Sequence, residues 1–96
     1  MQLILSDEAE ADLRAIIRFS VERWGIEQAE RYVQLLRDRL QDLTRHPRIG
    51  SPADSMSPGL RRFSYISHVA YYRVVRHEIR IVRILHKRMR ESDHIA

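Results

Sequence analysis

Apolar residues recur at helical spacing through the first half of the chain and in alternation through most of the second, and the change of period falls at a proline-rich stretch. The opening run QLIL predicts a short strand that ends at Ser6. Ser6 is placed to cap a helix, with Asp7, Glu8 and Glu10 in the first turn, where carboxylates meet the positive end of the helix dipole. Ala9, Leu13, Ile16, Ile17, Ser20 and Trp24 follow on one face of a period of about 3.6 residues. Trp24 is expected as a core anchor at the helix end. Gly25 stops the helix, because glycine accepts the left-handed conformation without a Cβ clash. Ile26, Ala29, Val33, Leu36, Leu40 and Leu43 then mark a second amphipathic helix running to His46, where the following Pro47 disfavours helical geometry. A one-residue break between two long helices predicts an antiparallel hairpin.

All three prolines and two of the three glycines fall between 47 and 59, a stretch too irregular for a helix or a central strand. It reads as a linker inside one domain. Three β-rich runs follow, Leu60–Ser64, His68–Val75 and Glu78–His86, spaced as consecutive antiparallel strands. In the second, Val69, Tyr71 and Val75 share one face, and His68, Ala70, Tyr72 and Val74 the other. In the third, Ile79, Ile81 and Leu85 alternate with Val82 and Ile84, which predicts a strand covered on both faces. The expected fold is therefore α+β: an N-terminal strand and an antiparallel helical hairpin packed on a mainly antiparallel sheet, in the order β-α-α-β-β-β. Residues 1–96 are expected to form a single domain, with 87–96 as a C-terminal tail.

Charge divides the chain. Residues 1–48 hold eight arginines against nine acids, whereas residues 49–96 hold nine Arg and Lys against four acids. The basic half calls for an anionic partner, either a nucleic acid or an acidic protein surface, since guanidinium groups pair with phosphates and carboxylates alike. Arg61, Arg62, Arg73, Arg76, Arg80, Arg83, Lys87, Arg88 and Arg90 are interleaved with Phe63, Tyr65, Tyr71 and Tyr72, which suits either. The absence of cysteine excludes disulfides and thiolate metal sites. The short LIL run is too brief for a signal peptide or a membrane span, so a cytoplasmic protein without membrane contact is expected.

Metal-free RNA cleavage needs a base, an acid and cations for the developing phosphorane charge, roles open to His68, His86, Arg61 and Arg83. The histidines at 46, 68, 77, 86 and 94 lack ligand spacing, so neither a metal nor a cofactor is expected. Arg83 shares its strand face with Ile81 and Leu85, which suits an internal ion pair as well as an outward contact.

The segments LSDEAEADLRAI, VERWGIEQAERY, RHPRIG, GLRRF, SHVAYYRV and IRIVRILHKRM occur in this order over nearly the full length. In that order the chain resembles the ParE toxins of bacterial type II toxin-antitoxin modules, within the RelE/ParE superfamily. The resemblance implies a toxin neutralised by a cognate antitoxin. ParE members are understood to inhibit DNA gyrase by protein contact, and RelE members to cleave mRNA on the ribosome. The cleaving branch commonly carries an aromatic hydroxyl near the chain end, but KRMRESDHIA holds no tyrosine and residues 47–60 hold no lysine. This departure favours the gyrase branch, with a RelE-type endonuclease as the alternative and no sequence-specific nucleic-acid contact by the toxin alone. The resemblance places target contact at Arg83, His86, Lys87, Arg88, Met89 and Arg90. Antitoxin contact is expected at Arg61, Arg62, Tyr72, Arg73, Val74 and Ile84, with Tyr72, Val74 and Ile84 on a partly uncovered apolar sheet face.

Overall fold

Ser6 links the first strand to the first helix and to the sheet beneath both. The computed structural model describes residues 1–89, beginning with β1 (Gln2–Leu5) and α1 (Asp7–Trp24). The Ser6 side chain accepts from the Ala9 N–H at 3.0 Å and donates to the Val82 carbonyl at 2.8 Å. One hydroxyl thus caps α1 and ties its start to a strand far along the sequence.

The buried face of α1 is Ala9, Leu13, Ile16 and Ser20, and that of α2 (Ile26–Asp42) is Ala29, Val33, Leu36 and Leu40. Gly25 joins the helices at φ 86° and ψ 168°, a region open essentially to glycine alone. Trp24 departs from the expected core position and is 43% exposed. Fifteen residues beyond Ala9 it has drifted roughly 60° around the helix from the stripe. Its ring instead meets Phe19 edge-on at 6.4 Å and Tyr32 at 6.2 Å between centroids.

β3 (Arg61–Tyr65), β4 (His68–Val75) and β5 (Glu78–His86) form the expected antiparallel meander, and β1 adds in parallel to β5. The linker contributes a strand the sequence did not suggest, β2 (Ser51–Pro52), antiparallel to β3. Proline is tolerated there because the strand lies at the sheet edge. The complete order is β1-β5-β4-β3-β2.

The helices cover one sheet face, where Leu36, Leu40, Phe63, Ala70, Tyr72, Ile79, Ile81 and Ile84 close the main core. On the opposite face Ala53 and Leu60, with Met56 against them, pack over Val69, Tyr71 and Leu85. The linker therefore lids the face expected to be partly open. Tyr72 and Ile84 are corrected accordingly: both are buried in the helix-side core, and of the three apolar candidates Val74 alone is exposed.

Ile84 reaches the helix side because the β4–β5 register slips between Tyr71 and Tyr72, whose partners are Arg83 and Ile81. Val82 is the additional residue of this β-bulge, and after it the alternation of side chains changes phase. Ile84 consequently joins Ile79 and Ile81, while Leu85 turns to the other face.

Candidate protein-contact site at the sheet end

β1 stops opposite Ile81, which leaves the second half of β5 without a neighbouring strand on that side. α1 substitutes for it. The Ser6 N–H donates to the Ile81 carbonyl at 2.9 Å, and Asp12 Oδ2 accepts from the Ile84 N–H at 2.9 Å. Both Asp12 oxygens also accept from Arg83, through Nε and Nη2 at 2.8 Å each. This bidentate hydrogen bonding holds the Arg83 guanidinium still more firmly protonated. The internal ion pair open to Arg83 in the sequence is present, formed with α1.

The same end of β5 carries a histidine pair. His68 and His86 are register partners on adjacent strands, their rings edge-on at 5.4 Å between centroids. The Tyr32 hydroxyl lies 2.7 Å from His68 Nδ1. Burial, and secondarily the neighbouring His86, lowers the His68 pKa to about 4. Burial raises that of Tyr32. Near neutral pH this site therefore holds an uncharged imidazole.

The chain leaves β5 through a turn built on the same residues. Lys87 N–H donates to the Ser67 carbonyl at 2.9 Å, Arg88 N–H to His86 Nδ1 at 3.1 Å, and Met89 N–H to the His86 carbonyl at 2.9 Å. Behind this turn lies an open cavity of about 530 Å³ between α1 and the strand ends, bordered by Ile16, Phe19, His68, Ile84, Arg88 and Met89. Arg90, the last expected target contact, lies outside the described residues.

The four residues expected for RNA cleavage are not brought to one place. His68 and His86 meet, but Arg61 lies at the far end of β3, four residues before the Tyr65 that pairs with His68. That is roughly 13 Å along the strand. Arg61 Nη2 donates to the carbonyls of Gly50 and Arg48 at 2.6 and 3.2 Å, and its Nε to the Tyr72 hydroxyl at 3.3 Å. Arg73 is similarly committed to the linker, with Nη1 on the Pro58 carbonyl and Nη2 on Ser57 Oγ, both at 2.6 Å. Arg62 stacks over the Tyr71 ring at 5.7 Å. Phe19, Tyr32 and Asp12 were not singled out by sequence reasoning. Phe19 flanks the apolar stripe of α1, and Asp12 resembles any other acid on a solvated helix face.

The uncharged His68 makes stability depend on pH. Its folded pKa lies below the ordinary histidine value of 6.5, so the unfolded chain binds the proton more readily as pH falls. The contribution is absent above that value, grows down to about pH 4 and is constant below. With solvent screening at this partly exposed site, about 1–2 kcal/mol should be lost between pH 7 and 4. Urea unfolding of wild type and His68→Gln at both pH values checks this, and equal losses in the two proteins would refute it.

A helical hairpin on a five-stranded mixed sheet, ending in an apolar cavity with a basic rim, defines a small α+β protein suited to holding a protein partner. Residues 3–91 match the family described as ParE toxin of type II toxin-antitoxin system, parDE, and the chain belongs to it. It is 40% identical over 93 residues to Toxin ParE1 of Caulobacter vibrioides, covering 96% of this chain and 95% of that one. Toxin ParE1 of Mycobacterium tuberculosis is also 40% identical, over 90% of this chain and 89% of its own. Toxin ParE of Escherichia coli is 34% identical over 90% and 84% respectively. A solved structure titled "Chromosomal ParDE TA system from P. aeruginosa" superposes with a TM-score of 0.79 at 32% identity, covering 90% of this chain and 95% of that one. The family and fold expected from the ordered motifs are borne out.

Proposed function

We propose that this ParE toxin acts by binding DNA gyrase, that its target surface is the β5 exit with the adjoining cavity, and that a cognate antitoxin silences it. The observation that carries the reading is the division of the cleavage candidates. The histidines stand together with His68 uncharged, while Arg61 and Arg83 are engaged elsewhere with loop carbonyls and with Asp12. A histidine with a pKa near 4 is poorly matched to acid or base work at neutral pH. The open apolar cavity, in contrast, has the character of a protein-contact site.

The antitoxin reading draws on a second groove, about 600 Å³, between α1 and α2. Ile17, Val21, Ile26, Ala29 and Val33 line it, with Glu27, Glu30 and Arg31. Its apolar floor and charged rim suit an amphipathic helix that orders on binding. Excess purified toxin should stop supercoiling by reconstituted gyrase and leave mRNA on programmed ribosomes intact. Unchanged supercoiling would reject the gyrase reading, and cleaved message lost in His86→Ala would replace it with the endonuclease.

A further inference from the structure

We propose that Phe19, Ile66 and Met89, together with Lys87 and Arg88, form one docking surface whose occupant is an acidic segment of the target that inserts an apolar side chain into the cavity. The proposal rests on the protein-contact reading above and adds to it the chemistry of the partner and two residues, Phe19 and Ile66.

Ile66 provides the first observation. It lies in the tight turn between β3 and β4 with φ at 50° and is 60% exposed. A β-branched residue is strained in this left-handed region, where glycine or asparagine is readily accepted. So exposed a side chain gains little burial within the chain to offset that strain, whereas an apolar contact with a partner would offset it. Continuity provides the second. The Ser67 carbonyl next to Ile66 accepts the Lys87 N–H, so the hairpin tip and the β5 exit are bonded into one ledge. Met89 closes that ledge at 47% exposure, and Phe19 borders the same cavity from α1 at 55%. Phe19 and Met89 border the cavity and Ile66 stands on the adjoining ledge; large apolar side chains this exposed beside basic neighbours form the centre and rim of a protein interface.

Charge selects the occupant. Asp12, the acid at the cavity wall, is occupied by Arg83 and the Ile84 N–H. Among the described residues no carboxylate pairs with Lys87 or Arg88. Among these residues the rim is therefore positive, and it favours carboxylates flanking an apolar anchor. A nucleic acid would satisfy the cations and could stack on Phe19, but it would leave the aliphatic Ile66 and Met89 without apolar partners.

The test uses purified wild type, Ile66→Asn, Phe19→Ala and the double variant Lys87→Glu with Arg88→Glu. Each is titrated against reconstituted gyrase, the cognate antitoxin and a single-stranded RNA, with urea unfolding in parallel. Ile66→Asn should unfold at higher urea and yet bind gyrase about tenfold more weakly, a pairing that a purely structural role would not produce. Phe19→Ala and the charge reversal should each weaken gyrase binding by about tenfold or more, with antitoxin affinity within about twofold of wild type. Wild-type gyrase binding should also weaken as salt rises. Gyrase affinity unchanged in Ile66→Asn and Phe19→Ala would overturn the proposal. A parallel loss of antitoxin affinity would assign the surface to the antitoxin, and a loss confined to RNA would assign it to nucleic acid; either result overturns it. If wild type itself neither binds nor inhibits gyrase, the underlying reading fails first.

Discussion

Replacing Asp12 by alanine should cost about 3 kcal/mol, far more than an ordinary exposed helix position. The carboxylate is the acceptor for three donors, Arg83 Nε, Arg83 Nη2 and the Ile84 N–H. It stands in for the strand that β5 lacks once β1 has ended opposite Ile81. Its loss leaves a strand amide without an acceptor and takes both carboxylate oxygens from an arginine side chain only 19% exposed. Arg83→Met should cost less, about 1–2 kcal/mol, because Asp12 then still closes the sheet edge. For a domain of this size the Asp12→Ala loss corresponds to a fall in melting temperature of roughly 12–24 °C. Equal losses in the two variants would show that the ion pair, rather than the edge closure, is what Asp12 contributes.

Tyr72→Ala should cost about 4 kcal/mol, and Tyr72→Phe about 1–2 kcal/mol. The ring is fully buried in the main core. Its hydroxyl donates to the Pro47 carbonyl at 2.7 Å and accepts from the Gly50 N–H at 3.2 Å and Arg61 Nε at 3.3 Å. This one oxygen therefore anchors the exit of α2 and the approach to β2. The fit is close, since a Cβ added at Gly50 would collide with the Arg62 carbonyl and the Tyr72 ring. The phenylalanine variant separates hydrogen bonding from packing. It should leave the urea slope unchanged while speeding amide exchange at Gly50, and wild-type exchange there would contradict the anchoring role.

Much of this architecture is legible residue by residue. The strand His68–Val75 and the strand Glu78–His86 have the ends their sequence suggests, and Gly25 divides the helices as its neighbours predict. α2 ends at Asp42, four residues before the expected His46, and turns carry the chain to Pro47. Ser51–Pro52 and the lid over the second face escaped notice because a proline-rich segment has no period to read. The candidate site was half legible. Lys87, Arg88 and Met89 lie exposed at the exit of β5 with His86 half-buried before them, whereas Tyr72 and Ile84 are core residues. Trp24 was misplaced because a stripe that is good over three turns drifts by the fifth.

The sequence by itself determined what depends on near neighbours: the hydrophobic period of each element, the Ser6 cap, the glycine at the break between the helices, and the ordered motifs of the family. Tertiary structure alone decided which polar groups are engaged within the fold and which stay exposed. Arg83 and Asp12 are 71 residues apart, and the bulge at Val82 that changes the phase of β5 arises only when β4 is laid beside it. Local propensity carries no record of such pairings, because the energy of an ion pair, a buried hydroxyl or an uncharged histidine belongs to the surroundings that folding assembles.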